Sequence, residues 1–137
     1  MKIIIKGKPI AKKRPRFARV GKYVKTYNSQ ETEESRWLWE ATHQIDTTYQ
    51  GPVSMTCDFV FERPKSHFGT GRNSEKLKPS APTHHIQKPD TDNLLKFVKD
   101  CLNGQAYKDD SQVFHVTANK RWGKDARTEI IMMEVDK

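Results

Sequence analysis

The clearest periodicity in the chain runs from Val53 to Glu62. Val53, Met55, Cys57, Phe59 and Phe61 alternate with Ser54, Thr56, Asp58 and Glu62. Period two with one apolar face predicts a strand with a buried side, and it accounts for Cys57 as a core residue. Lys2 to Lys6 reads K-I-I-I-K, a continuous β-branched run that predicts a buried strand ended by Gly7 and Pro9. Residues 11–27 are basic with Phe17, Tyr23 and Tyr27 interleaved, which suits an irregular or hairpin segment turning near Gly21. Asn28 with Glu31 three residues on resembles a capping box, although Ser or Thr is the preferred first residue. Glu31, Glu33 and Glu34 then occupy a first turn, and Trp37, Leu38, Ala41 and Ile45 follow at helical spacing. This predicts an amphipathic helix of about five turns, ended by Gly51 and Pro52.

Residues 63–89 carry no strand or helix pattern. They hold Pro64, Pro79, Pro82, Pro89, Gly69 and Gly71, and six basic residues against one acid. A loop of this length in a compact domain is usually functional or disordered. His67, His84 and His85 lie in it. No third and fourth ligands stand at zinc-like spacing, so they read as exposed loop histidines. A helix begins near Asp90–Asp92, carries Leu94, Leu95, Val98, Cys101 and Leu102 as its apolar stripe, and ends at Asn103-Gly104. Val113–Trp122 and Arg127–Val135 read as strands joined by a turn at Gly123–Ala126, a hairpin. The order is strand, helix, strand, helix, strand, strand. It predicts an α+β fold, a mixed sheet of about four strands with two helices packed on it. No repeat or boundary divides residues 1–137, which read as one domain with a basic segment at 8–27 and a long loop at 63–89.

Charge sharpens the picture. The net charge is +8, and ten basic residues precede the first acid, Glu31. The remainder holds 15 basic and 17 acidic residues, so the whole excess sits in the first 25 positions. A local cationic block implies a polyanionic partner, most often nucleic acid; its plainer role is solubility. The apolar fraction is 34%, a thin core. No apolar run approaches the ~20 residues of a membrane helix, and the charged start does not read as a secretory signal. Cys57 and Cys101 cannot build a disulfide scaffold or a four-ligand zinc site, and read as buried thiols of a cytoplasmic protein.

The candidate chemistry lies in Lys88-Pro89-Asp90-Thr91-Asp92-Asn93-Leu94-Leu95-Lys96, followed by Tyr107-Lys108-Asp109-Asp110-Ser111. Lys96 stands one turn beyond Asp92. Capping explains Asp90 or Asp92 taken alone, and a turn explains Asp109-Asp110-Ser111. Taken together, three carboxylates at one site repel one another, and a bound divalent cation relieves that cost. Mg²⁺ suits such oxygens together with a substrate phosphate. Lys96 is placed to orient a water or to stabilise charge growing on the phosphate. Lys12, Lys13, Arg14, Arg16 and Lys88 are the candidate DNA contacts.

At these residues the chain resembles the RusA family of Holliday junction resolvases. The D-x-D-N-x-x-K element with the later Asp109-Asp110 carries the likeness. The opening Gly7-Lys8-Pro9-Ile10-Ala11-Lys12-Lys13-Arg14-Pro15-Arg16-Phe17 is similar to that family's phage and prophage members. The resemblance implies a homodimeric, Mg²⁺-dependent crossover junction endodeoxyribonuclease of DNA recombination and repair, with Mn²⁺ as a substitute ion. It implies that Asp90, Asp92 and Asp110 hold the metal, that Lys96 is the essential cation, and that Asp109 is a possible helper. Its partner would be branched, four-way DNA, and no membrane is involved. A two-fold dimer suits paired cuts across a four-way junction. A less selective flap or fork nuclease, and a basic DNA-binding module whose aspartates only cap and turn, remain the alternatives.

Overall fold

The computed structural model describes residues 1–13, 16–21, 23–27 and 31–137, with the backbone alone for 16–20 and 23–27. Along these residues the elements run β1 (Lys2–Lys6), β2 (Arg16–Val20), β3 (Tyr23–Tyr27), α1 (Glu31–Thr42), β4 (Val53–Glu62), α2 (Thr91–Leu102), β5 (Val113–Gly123) and β6 (Arg127–Glu134). Short 3₁₀ turns form at Lys65–His67, Gly71–Asn73 and Asp110–Gln112. A mixed four-stranded sheet has the order β1-β6-β4-β5, and β2 and β3 pair separately. This is the α+β architecture that the hydrophobic pattern predicts.

β4 takes the centre because it is the most apolar strand. Val53, Met55, Cys57 and Phe59 are wholly buried on one face, and Val60 is buried on the other. β5 runs parallel to β4 and β6 antiparallel. α2 lays Leu94, Phe97, Val98, Cys101 and Leu102 against the core, and α1 contributes Trp37 and Ala41. Trp37 meets Phe97 edge-on, with ring centroids 5.7 Å apart, which joins the two helices. Burial pushes the Cys57 thiol up to about 12 and, aided by Glu34, the Cys101 thiol to the same value. Both are core residues, as the sequence predicts.

Several expectations change. β1 is an edge strand: Ile3 and Ile5 are buried, while Ile4 reaches solvent. Its outer edge is covered by a side chain. Gln44 accepts from Ile4 N and donates to Ile4 O, both at 2.8 Å, in place of a neighbouring strand. The same contact explains why the first helix stops at Thr42 and does not run five turns to Gly51. Gln44 turns away to the sheet, and the β-branched Thr47-Thr48 pair that follows favours extended backbone. The Asn28 capping signal lies outside the described residues. Within the basic segment, β2 and β3 pair antiparallel on either side of Gly21, whose φ of 59° suits glycine.

The expected hairpin of residues 113–122 with 127–135 does not form. Both strands pair with β4 instead, one on each side. A buried central strand must satisfy its backbone groups on both edges. The connection after Gly123 therefore crosses the end of β4, where Arg63 N donates to Gly123 O at 3.3 Å. Gly123 lies so close to β4 that a Cβ there would drive into Val60 Cγ1.

The loop at 63–89 is pinned to β5. His84 and Arg121 form an isolated antiparallel bridge, and Trp122 Nε1 donates to His84 O at 3.2 Å. His85 is buried, not exposed: its ring stacks on Phe61 at 4.1 Å and packs against Trp122 at 4.5 Å. Its Nδ1 has no hydrogen-bond partner among the described residues. Burial first, then Lys120 and Lys8, holds the imidazole below its ordinary value of 6.5.

Two outcomes follow from this packing. Gly123→Ala should lower stability by about 1–3 kcal/mol, read as a fall in melting temperature of roughly 5–10 °C. Adding Val60→Ala should make the double variant lose less than the sum of the two singles. The second outcome concerns pH. His85 protonates more readily in the unfolded chain than in the folded one, so its contribution to stability is full above pH 6.5 and shrinks as pH falls through that value. Urea titrations of wild type and His85→Phe between pH 8 and pH 5 should show the wild type losing more stability toward pH 5; parallel losses would refute the assignment.

Candidate active site

α2 begins with a capped turn. Asp90 has extended backbone, and its Oδ1 accepts from Asn93 N at 3.0 Å. With Leu94, Phe97, Val98, Cys101 and Leu102 turned to the core, the opposite flank of α2 is left to polar residues. That flank, from Asp92 through Lys96 to Asp100, lies beside Asp110. Together with Leu95 and Lys99 these residues line an open hollow of about 270 Å³.

Asp110 arrives there through a turn built around its neighbour. Asp109 caps the 3₁₀ turn Asp110–Gln112: its carboxylate accepts from Ser111 N at 3.0 Å and from the Ser111 hydroxyl, while Gln112 Oε1 accepts from Asp109 N at 2.9 Å. The Ser111 hydrogen bonds hold the Asp109 carboxyl below its ordinary range. Gln112 Nε2 in turn donates to Tyr49 O at 3.0 Å and Gly51 O at 2.9 Å, which fixes the turn to the start of β4. Asp109 is thus occupied as a cap, and Asp110 is the member of the pair that lines the hollow. Beneath it Tyr107 is buried and donates to Lys99 O at 2.9 Å; burial, then the Asp110 charge, raises its phenol.

The structure therefore brings Asp92, Lys96 and Asp110 together, adds Lys99 and Asp100, and leaves Asp90 at the helix cap outside the hollow's lining. Asp100, four residues after Lys96 on the same helix, pairs with Lys12 at 3.5 Å. Among the described residues no carboxylate comes within ion-pair distance of Lys96. No group of three or more His, Cys, Asp or Glu among the described residues is disposed to hold a metal ion. What the hollow offers is hard carboxylate oxygen open to water. Mg²⁺ ordinarily takes one or two carboxylates with waters and phosphate oxygens, not a full protein cage, so this donor set fits such an ion.

The basic residues divide. Lys12 is structural: its Nζ pairs with Glu34 at 2.9 Å as well as with Asp100, and its N–H donates to Asn93 O at 3.0 Å. Burial pulls its ammonium down, but the two carboxylates outweigh it and the net shift is upward. Lys13 is more exposed and pairs with Glu33 at 3.9 Å. Arg14 and the side chain of Arg16 lie outside the described residues. Lys88 is exposed and, with Lys8, lines a second hollow formed by Phe61, His85 and Trp122. Lys6, Lys8 and Arg36 join Lys12 and Lys13 along a trough of about 570 Å³ that reaches Pro89. Arg36 carries no motif of its own; only the fold brings it to the basic segment.

No helix among the described residues is long and apolar enough to cross a membrane. A family model described as endodeoxyribonuclease RusA matches residues 6–133. The chain is also 34% identical over 146 aligned positions to a Bacillus subtilis (strain 168) protein described as "Uncharacterized protein YqaN", with 98% of this chain and 96% of that one covered. The match takes in the end of β1, both helices, the hollow along α2 and nearly all of the final strand, and the chain belongs to the RusA family of endodeoxyribonucleases.

Proposed function

We propose that residues 1–137 act as one nuclease domain that resolves four-way DNA junctions as a homodimer, by paired symmetric hydrolysis of phosphodiester bonds. The observation that carries this reading is the gathering of Asp92, Lys96 and Asp110 in one open hollow, within a family of endodeoxyribonucleases. Asp92 and Asp110 would hold Mg²⁺, or Mn²⁺ in its place, with Asp90 supplying a further carboxylate from the mouth of the helix. When bound, the ion polarises a phosphoryl oxygen and makes a water more acidic. Lys96, with no carboxylate partner among the described residues, has its charge available for the phosphate, where a preorganised cation offsets growing negative charge. Lys13, Arg14, Arg16 and Lys88 would bind phosphates. Lys12 acts differently, by tying the basic segment to both helices. A second copy related by a two-fold axis would place a second hollow at the opposing strand.

The reading is tested by incubating the purified protein with four-way, flap and linear DNA, with and without Mg²⁺. Paired cuts confined to the four-way substrate and dependent on the ion are expected. Equal cutting of flaps makes it a general branch nuclease, and binding without any cutting makes it a DNA-binding module. Light scattering of the eluted protein should give twice the 15.9 kDa chain mass.

Asn at 90, 92 or 110 should reduce junction cleavage by roughly a hundredfold or more while junction binding persists. Lys96→Gln should melt within a degree or two of wild type and lower the single-turnover rate by roughly a hundredfold. A Gln variant that cleaves within about threefold of wild type would remove Lys96 from the mechanism.

Affinity should fall steeply with salt. Neutralising any one phosphate-binding cation among Lys13, Arg14, Arg16 and Lys88 should reduce the slope of log K against log salt by about 0.9. Lys12→Ala should instead lower the melting temperature. An unchanged slope in the fourfold Ala variant would make the block a solubility feature.

A further inference from the structure

Ile86 is the most exposed of the large apolar side chains among the described residues, at 89%. Single exposed apolar residues are common on protein surfaces and need no explanation by themselves. Ile86 differs in how firmly its neighbours are held. On one side His84 O accepts from Trp122 Nε1, and His85 is 6% exposed, with its ring packed between Phe61 and Trp122. On the other, Lys120 Nζ donates to Gln87 O at 2.7 Å and to Pro89 O at 2.9 Å. Residues 84, 85, 87 and 89 are thus all fastened to the end of the sheet, and Ile86 projects from between them. It stands four residues before Asp90, beside the hollow that Phe61, His85 and Trp122 form and that Lys8, Gln87, Lys88, Glu62 and Asp125 also line.

We propose that Ile86 is a wedge that inserts between base pairs at the branch point of the DNA, an assignment that rests on the nuclease reading above. The surroundings select this occupant. The hollow beside it sets Lys8 and Lys88 next to the rings of Phe61, His85 and Trp122, so cations that suit phosphate stand close to groups that suit bases. Ile86 is followed by Gln87 and Lys88, a polar and a cationic group suited to base edges and phosphates. Apolar wedges of this size part base steps in other DNA-bending proteins. The anchoring on both sides lets the loop press on a stack without yielding. At a branch point stacking is already interrupted, so insertion there costs less than in continuous duplex. The wedge would therefore favour branched over linear DNA without reading sequence.

The test uses four-way DNA with 2-aminopurine next to the crossover, and continuous duplex with the same label. Fluorescence is read in EDTA so that no cutting occurs. Wild type should raise the junction signal severalfold and leave the duplex signal unchanged. Ile86→Ser should abolish the rise while junction affinity stays within about threefold, and Ile86→Leu should keep it. With Mg²⁺, Ile86→Ser should cut the intact junction at least tenfold more slowly, and a junction carrying unpaired bases at the crossover should restore the rate. Equal melting temperatures establish that the variants are folded. If wild type and Ile86→Ser cut junctions equally and give equal fluorescence, the wedge is overturned and the nuclease reading stands. If Ile86 is needed for the fluorescence rise but wild type cuts nothing, the wedge stands and the nuclease reading falls.

Discussion

The parallel pairing of β4 with β5 governs the rest of the molecule. Two parallel neighbours cannot be joined by a tight turn; the chain must cross the sheet and return to the same end. That crossover is the 63–89 loop followed by α2. Because α2 covers β4, its Leu94, Phe97, Val98, Cys101 and Leu102 are committed to the core, and its remaining flank must face water. The chain then re-enters the sheet through the Asp110–Gln112 turn, which Gln112 fastens to Tyr49 and Gly51 just before β4. Asp110 is carried to the exposed flank of α2 as a consequence. The hollow is thus a product of topology: Asp110 meets residues 10 to 18 positions before it because β5 has only one way back.

A second constraint acts on the basic N-terminal segment. Ten cations in 25 residues would repel one another and lift away from the fold. The first turn of α1 answers part of this. Glu34 and Asp100 hold Lys12 from two helices, and Glu33 meets Lys13. The ion pairs are partly exposed, so each contributes modestly to stability. Their value is positional, since they set the basic trough against Pro89, at the mouth of α2.

Local signals were legible where one residue type had one dominant consequence. The alternation from Val53 to Phe61 suits a strand, and Asp90 before an apolar 3.6-residue stripe suits a cap. The signals that misled depend on partners distant in sequence. K-I-I-I-K reads as a buried strand, yet the Ile4 edge is closed by the Gln44 amide, a contact 40 residues away. Trp37, Leu38, Ala41 and Ile45 keep helical spacing past the point where that same amide pulls the chain onto β1. The last two strands look like a hairpin because their spacing is short; that β4 lies between them follows from its burial on both faces, with Val60 closed in by Gly123. His85 reads as exposed from its place in a loop without strand or helix pattern, whereas Phe61 and Trp122 determine its burial. At the site, Asp92 and Lys96 stood out by residue type and spacing, and Asp110 through the resemblance to the RusA family. Which of Asp109 and Asp110 serves as cap was not, because Ser111 and Gln112 decide it through hydrogen bonds.

The arrangement of the acids carries its own logic. Asp92 and Asp100 are eight residues apart on one helix, about 12 Å along its axis at the usual rise. Asp90 spends one oxygen on the Asn93 amide, and Asp100 is neutralised by Lys12. The carboxylates are thereby kept from crowding, so the free protein does not have to hold several negative charges in contact. A cation that takes one or two carboxylates draws its other oxygens from water and from phosphate. The trough lined by Lys6, Lys8, Lys12, Lys13 and Arg36 reaches Pro89, one residue before the Asp90 cap, so the basic segment lies at the start of the helix whose flank carries the hollow.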